Sequence, residues 1–326
     1  MGLQLRMYLL LAVMFGIIYA VFVMLGEVSG RGSFLTYAIL ASIMVLVQYL
    51  IGPAIVGWTM KVRWVTEQEE PELHRMVADL AREAHIKKPK VGISGLNIPN
   101  AFAYGRFGDA RVVVTDGIRS LLTKDELRAV VGHEVSHVKH HDMVIITILS
   151  VVPLILWYIA WGIMWSGGGR DRRNGGQIAL IGFVAFILYF VTNLLVLYAS
   201  RIREYYADLG SVRLGNEPKY MASALYKLVY GTARTSKEEL KQVEGVKAFF
   251  ANDPTRALKE LRELREIDRD MSGTIDANEL STIRGKKVVL GFGDKMMEAL
   301  STHPNMLKRI KHLSTLMFAS QMSIRA

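Results

Sequence analysis

Four uninterrupted apolar runs place the strongest constraint on what this chain can fold into. Each is about 19–22 residues long and contains no Lys, Arg, Asp or Glu, and they cover roughly 7–25, 34–52, 144–165 and 178–198. At 1.5 Å per residue, such a helix crosses a hydrocarbon core of about 30 Å. Buried helices of globular proteins rarely stay uncharged on every face for five turns. The first run also resembles a signal peptide, but only Arg6 precedes it and no Ala-x-Ala site follows. We therefore predict four transmembrane helices.

This topology predicts on which side of the membrane the polar segments lie. Segments 53–143 and 199–326 share one side, and only two short loops, about 26–33 and 166–177, lie opposite. Those loops contain 4 of the 40 Lys and Arg residues, which leaves 36 elsewhere. This bias favours a multi-pass protein of the plasma membrane with its larger segments in the cytoplasm, although the three arginines in 170–173 argue the other way. The absence of cysteine fits a reducing compartment. The net charge of +10 suits anionic lipid head groups better than nucleic acid.

The pentapeptide His-Glu-Val-Ser-His at 133–137 carries the chemistry. His133 and His137 are four residues apart, so on a helix both imidazoles project from one face and suit Zn²⁺. The adjacent Glu134 is placed to act as a general base on a metal-bound water. Thr123 and Glu126 form a predicted capping box that starts the required helix. Two histidines that merely share a helix surface are the alternative.

A third zinc ligand is expected after the fourth apolar run. Glu204 and Asp208 are four residues apart and share a predicted helix face. Glu204 suits the third ligand position, and Asp208 can hold the outer ring nitrogen of a zinc histidine. An exposed helix in which Arg201 and Arg203 pair with these acids is the alternative. An antiparallel pairing of the third and fourth runs would bring Glu204 close to the histidines.

These motifs in this order resemble the HtpX-type gluzincin membrane peptidases, which are related to the CAAX prenyl proteases. The resemblance spans nearly the whole chain and implies zinc bound by His133, His137 and Glu204, with Glu134 as the base. It also implies an edge strand beside the cleft at Asn100-Ala101-Phe102. Residues 90–94, 99–104 and 110–115 alternate as short strands do, and an edge strand can pair with an extended peptide. An ordinary hairpin is the alternative.

A second segment of the same kind is Thr302-His303-Pro304 followed by Arg309. We predict that His303 stabilises the oxyanion of the reaction, with Arg309 as a less secure candidate that otherwise supports the metal site. Tyr205 and Tyr206 are alternatives for the oxyanion. A plain helix cap with Pro304 in the first turn would explain the same residues.

Residues 268–279 fit a 12-residue EF-hand loop, a feature that the resemblance does not imply. Oxygen-bearing side chains occupy the ligand positions, Gly273 occupies position 6, and Glu279 occupies position 12. The predicted Ca²⁺ ligands are Asp268, Asp270, Ser272, Thr274, Asp276 and Glu279. An acidic surface turn between helices is the alternative, and the loop has no partner hand in the sequence.

The predicted fold is mainly α-helical: four transmembrane helices and a mostly helical, gluzincin-like metallopeptidase domain with a small β-sheet. Its expected segments are 1–52 (two spans), 53–143 (HExxH helix), 144–198 (two spans) and 199–326 (third ligand and EF-hand-like loop). The predicted function is zinc-dependent cleavage of polypeptides, with damaged or misfolded membrane proteins as substrates by resemblance. Processing of prenylated C-terminal peptides is the alternative enzyme. A non-catalytic membrane scaffold or calcium-binding protein is the alternative of another class.

Overall fold

The structure is a computed structural model that describes residues 34–165, 175–234, 266–285 and 291–325, with isolated positions at 13, 14, 16, 17, 20, 21, 260, 261 and 264. The described helices are α1 (Phe34–Thr59), α2 (Pro71–Glu83), α3 (Asp116–Leu121), α4 (Lys124–Lys139), α5 (Asp142–Trp165), α6 (Gly175–Arg213), α7 (Pro218–Arg234), α8 (Ala277–Ile283), α9 (Phe292–Ala299) and α10 (Met306–Arg325). The strands are β1 (Val62–Trp64), β2 (Lys90–Ser94), β3 (Ala101–Arg106) and β4 (Asp109–Thr115). The mostly helical fold with a small sheet is thus confirmed.

Two helices among the described residues are long and apolar enough to cross a membrane. They are Asp142–Met164 and Gly176–Arg213, which contain the third and fourth predicted spans. The second predicted span, 34–52, falls within α1. Most of the first predicted span, 7–25, lies outside the described residues. Among the described residues, the third and fourth predicted spans therefore match helices with the length and composition of a membrane span.

The chain divides into two compact units, each built from two chain segments. One unit comprises Met1–Ile51 with Val144–Ser200, and the other comprises Gly52–Met143 with Arg201–Ala326. Within the first, the ring of Trp157 on α5 lies 5.2 Å from that of Tyr189 on α6. Every candidate zinc-site residue belongs to the second unit.

The sheet of the second unit has the strand order β1-β2-β4-β3. Strands β1 and β2 are antiparallel, β2 and β4 are parallel, and β3 and β4 are antiparallel. The β3–β4 turn uses Gly108 at φ +78°, a backbone conformation that favours glycine. Strand β3 is consequently an edge strand with one side unpaired within the sheet.

The core of the second unit lies between the sheet and helices α2, α4, α7 and α10. Its fully buried members include Leu80, Val131, Leu225 and Ile310. Leu80 and Val131 belong to α2 and α4, whereas Leu225 and Ile310 belong to α7 and α10. Burial of this apolar surface is the main force that fixes α4 in place.

Helix α4 begins with the predicted capping box, which the structure confirms. The Thr123 hydroxyl accepts a hydrogen bond from the Glu126 N–H, and the Glu126 carboxylate accepts one from the Thr123 N–H. Glu126 also accepts hydrogen bonds from Ser223 Oγ at 2.6 Å and Lys227 Nζ at 2.8 Å, both on α7. The start of α4 is therefore held both locally and by α7.

Candidate metal centre

Helix α4 presents two histidines from its buried face. The Nε2 atoms of His133 and His137 lie 3.1 Å apart, and the two rings meet edge to face. His133 is 4% exposed. Because a neutral imidazole has a lone pair on one ring nitrogen, two converging Nε2 atoms suit a cation placed between them.

The carboxylate of Glu204, from α6, completes a three-ligand set. Its Oε2 lies 3.5 Å from His133 Nε2, and its Oε1 lies 3.5 Å from His137 Nε2. Tetrahedral bonds of about 2.0–2.1 Å place neighbouring ligand atoms about 3.3–3.4 Å apart. The three side chains therefore have the separations that a tetrahedral zinc ion requires, with a fourth position left for water or substrate.

Each histidine has its own carboxylate on the outer ring nitrogen. His133 Nδ1 lies 2.9 Å from Asp208 Oδ1, as the sequence analysis predicted for Asp208. His137 Nδ1 forms a 2.6 Å hydrogen bond with Asp142 Oδ2. Such contacts fix the tautomer that leaves Nε2 free for a metal. Asp142 was not predicted from the sequence, although it lies only five residues after His137 and so within reach of that side chain.

Two buried arginines neutralise these carboxylates. Arg309 on α10 donates hydrogen bonds from Nε and Nη2 to Asp208, and its Nη1 lies 2.9 Å from Glu204 Oε2. Burial disfavours the charge of Arg309, but Asp208 and Glu204 outweigh it and raise the arginine pKa. Arg203 forms an ion pair with Asp142. Arg309 thus contacts both the predicted zinc ligand Glu204 and Asp208, whereas the partner of Arg203 was not foreseen.

The charges of the cluster favour a divalent cation. Four carboxylates, those of Glu134, Asp142, Glu204 and Asp208, meet two guanidinium groups, those of Arg203 and Arg309. With all four carboxylates ionised and the histidines neutral, these six groups sum to −2. A buried charge of this size requires compensation, and a bound Zn²⁺ would supply it.

Glu134 stands where a general base would be needed. It is 7% exposed and follows His133 on α4. Its Oε2 accepts a 2.7 Å hydrogen bond from the backbone N–H of Ala103 on β3. Burial raises the Glu134 pKa, and the nearby His137 and His133 only partly counter this effect. A raised pKa makes the carboxylate a better proton acceptor near neutral pH.

His303 lies at the same cluster, from the segment that precedes α10. Its Nε2 is 3.7 Å from Glu204 Oε1, and its Nδ1 shares a 2.9 Å hydrogen bond with Thr302 Oγ1. Burial lowers the His303 pKa, although the charge of Glu204 opposes the shift. Tyr205 instead packs its ring against His312.

The Asn100-Ala101-Phe102 segment lies at the start of the edge strand. The N–H of Asn100 donates to Thr115 Oγ1, and its C=O accepts from the Thr115 N–H. The backbone of Asn100 therefore bonds toward β4 rather than toward the open edge. The Phe102 side chain is buried against Tyr104. Because N–H directions alternate along a strand, the Ala103 contact with Glu134 places Ala101 and Ala103 on the open edge. Ala103 was missed because its role depends on backbone direction.

Helix α6 reaches α4 by close packing at two glycines. A Cβ on Gly210 of α6 would lie 1.9 Å from Ser136 Oγ, and a Cβ on Gly132 of α4 would lie 3.0 Å from Ser211 Oγ of α6. Ser211 Oγ also donates a 2.6 Å hydrogen bond to the Ala129 carbonyl. The absence of side chains at these glycines lets α6 bring Glu204 within reach of the histidines.

The EF-hand-like residues form a second cluster of carboxylates. Carboxylate oxygens of Asp268, Asp270 and Glu279 all lie within 4.8 Å of one another. Gly273 adopts φ +76° at the predicted turn. Asp276, another predicted ligand, caps α8, because its side chain accepts a hydrogen bond from the Glu279 N–H.

Comparisons with known proteins identify the family of the chain. The family description "Peptidase family M48" matches residues 67–317. A protease HtpX homolog of Methanothermobacter thermautotrophicus is 51% identical over 228 residues, which cover 70% of this chain and 86% of that protein. Another, from Moorella thermoacetica, is 34% identical over 97% of this chain and 94% of its own length.

A solved structure is more distant. The crystal structure of S. mikatae Ste24p has a TM-score of 0.45 and 18% identity, over 94% of this chain and 63% of that one, a likeness too low to establish a shared function. The family match and the two HtpX homologs cover most of this chain and show its family. M48 enzymes are zinc metalloproteases. The chain therefore belongs to peptidase family M48 and is a metalloprotease.

Proposed function

We propose that the protein is a membrane-bound zinc endopeptidase whose metal ligands are His133, His137 and Glu204. The observation that carries the proposal is the set of 3.1–3.5 Å separations between their donor atoms, which a tetrahedral ion with one open position requires. Asp142 and Asp208 orient the two imidazoles. A silent scaffold would not need to bury four carboxylates together, because burying charge is costly.

Glu134 acts as the general base and then as the proton donor. Bound zinc would polarise the scissile carbonyl and lower the pKa of a water molecule held at the fourth position. Glu134 takes the proton from that water and afterwards delivers it to the leaving amine. Its hydrogen bond from Ala103 fixes the carboxylate beside the histidines without neutralising it.

His303 is the donor to the oxyanion that develops on the substrate. Its lowered pKa keeps the imidazole neutral. A neutral ring can donate an N–H to the oxyanion without adding a positive charge beside Glu204. Arg309 already contacts both Glu204 and Asp208. We therefore assign Arg309 to positioning the ligands, and the oxyanion to His303.

The substrate is an extended polypeptide that pairs with the open edge of β3. The Ala103 N–H is occupied by Glu134, so backbone pairing at Ala101 and at the Ala103 carbonyl would grip a peptide without strong sequence preference. The same edge approaches Glu134, so a peptide bound there would pass the candidate metal ligands.

We further propose that the enzyme is a multi-pass protein of the plasma membrane with its catalytic unit in the cytoplasm. Helices α5 and α6 and the distribution of Lys and Arg support this arrangement. Damaged or misfolded membrane proteins are the substrates that such a location would provide. Cleavage of prenylated peptides is the second candidate, and a broad edge-strand grip favours it less.

The decisive experiment compares the detergent-purified protein with its Glu134→Gln variant. We expect both to contain one zinc per chain, and we expect the variant to cleave casein at least about a hundredfold more slowly. Glu72→Gln, which makes the same change at an exposed carboxylate on α2, should match the wild type. Equal cleavage by wild type and Glu134→Gln at full zinc content would refute the proposed mechanism.

A further inference from the structure

We infer that the loop 268–279 is a Ca²⁺ site, separate from the zinc centre. Membership of family M48 gives no support for calcium, so the inference depends on the residues of the loop alone. Carboxylate oxygens of Asp268, Asp270 and Glu279 converge within 4.8 Å, and a bound cation would relieve the repulsion between their charges.

Asp268 gives an independent indication of a ligand. It is 6% exposed, and its Oδ1 is buried without a hydrogen-bond partner among the residues that the structure describes. Its Oδ2 accepts hydrogen bonds from Tyr226 Oη at 2.9 Å and from the Gly273 N–H at 3.0 Å. The carboxylate is therefore held by one oxygen while the other has no partner. A buried polar atom in this state is costly unless a ligand satisfies it.

The rest of the loop matches the requirements of calcium. Oxygen ligands from short side chains, a left-handed glycine at position 6 and a glutamate at position 12 are the features of the EF-hand loop. Here Gly273 has φ +76°, and Glu279 is 7% exposed at the start of α8. Zinc prefers nitrogen and sulfur ligands, and none is present among the predicted ligand side chains of this loop.

The loop is also connected to the zinc-binding helix. Asp268 is hydrogen-bonded to Tyr226 of α7, and the neighbouring Ser223 and Lys227 of α7 hold Glu126 at the start of α4. A cation at the loop would fix Asp268 and thereby strengthen one anchor of α7. Since a ligand that binds only the folded state stabilises it, calcium should raise the thermal stability of the protein.

The test is a calorimetric titration of the full-length, zinc-loaded protein in neutral detergent with CaCl₂ up to about 1 mM, within the range of EF-hand affinities. We expect one calcium per chain and a higher unfolding temperature. Glu279→Gln should abolish the heat of binding, and Glu217→Gln, at an exposed carboxylate on another segment, should leave it unchanged. No calcium binding by the wild type, or equal binding by Glu279→Gln, would overturn the inference.

A second variant keeps the test decisive if Glu279→Gln fails to fold, because Glu279 also caps α8. Asp270 is exposed, so Asp270→Asn should fold normally. We expect it to weaken calcium binding about tenfold, since affinity depends on the number of charged ligands. Unchanged affinity in this variant would reject the site. Neither titration uses peptidase activity, so its outcome is independent of the proposed function.

Discussion

At the scale of single residues, the two histidines of the candidate zinc site have the same kinds of neighbours. Each has an aspartate on its outer nitrogen and an arginine on that aspartate: Asp208 and Arg309 for His133, and Asp142 and Arg203 for His137. The arginine balances the charge of the aspartate, and the aspartate lies against the outer nitrogen of the imidazole. Both ligands are thus positioned before a metal arrives.

This arrangement predicts a specific loss of zinc affinity when Asp142 is altered. Asp142→Asn removes the charge that orients His137 and balances Arg203, so we expect zinc affinity to fall about 10–100-fold. Competition with a chromophoric chelator measures the change. Asp79→Asn, at a more exposed aspartate paired with Arg82, serves as the control. An Asp142→Asn protein that holds zinc as tightly as the control would show that the contact is incidental.

At the scale of elements, the position of Glu204 depends on how closely α6 packs against α4. The contact of Gly210 with Ser136 leaves no room for a side chain. Sequence periodicity located both helices, but it gave no indication that a glycine on one faces a serine on the other, because such contacts depend on the crossing of two helices.

Gly210→Ala should therefore lower both stability and zinc content. The added Cβ would lie 1.9 Å from Ser136 Oγ and 2.5 Å from Ser136 Cβ, so the helices must separate at a cost of about 1–3 kcal/mol. Ser136→Gly in the same chain removes the clashing atoms and should restore zinc content. The stability of this double variant should stay about 1 kcal/mol below that of the wild type, because a glycine within a helix is destabilising. Thermal unfolding and metal analysis measure both effects. Full zinc content in the single variant would contradict this packing.

The start of α4 gives a prediction about pH. Burial raises the pKa of Glu126, but Lys227, Ser223 and the Thr123 N–H outweigh it and hold the pKa below its usual value of 4.5. A carboxyl with a lowered folded-state pKa stabilises the protein above the unfolded value, and the contribution disappears as the pH falls through the folded value. Glu126→Gln should therefore destabilise by about 2 kcal/mol at pH 7.

The difference between wild type and Glu126→Gln should shrink once the pH falls below 4.5. Denaturant titrations at several pH values measure it, and Glu72→Gln, which pairs with Lys124 at the exposed side of the same helix start, should show little difference at any pH. A gap that stays constant from pH 7 to pH 3 would assign the stabilisation to packing rather than to charge.

At the scale of the whole molecule, sequence patterns located the helices and most of the site. The HExxH spacing, the Glu204–Asp208 pair and the capping box are local patterns, so they were readable from the sequence. Ala103 and the charge pairing of Arg203 required knowledge of strand direction and of contacts between distant segments. Helix α6 also continues to Arg213, well past the predicted end of the span at 198, because polar residues beyond that point still favour a helix.

The proposed orientation can be tested directly because the chain has no cysteine. A single Glu72→Cys substitution places a thiol at an exposed position of α2. We expect a membrane-impermeant maleimide to label it in lysed cells but not in intact ones. A thiol introduced by Gly168→Cys, in the predicted opposite loop, should be labelled in intact cells as well as in lysed ones. Labelling of Glu72→Cys in intact cells would place the catalytic unit outside.

The order in which the site residues leave the ribosome follows from where they lie in the chain. His133 and Glu134 are translated early, Glu204 follows after residues 144–200, and Arg309 comes last on α10. A nascent chain therefore contains the HExxH pair long before it contains the guanidinium that neutralises Asp208 and Glu204. We therefore expect an unfinished chain that lacks α10 to bind zinc less tightly than the full-length chain, because the contacts of Arg309 with Glu204 and Asp208 are not yet made.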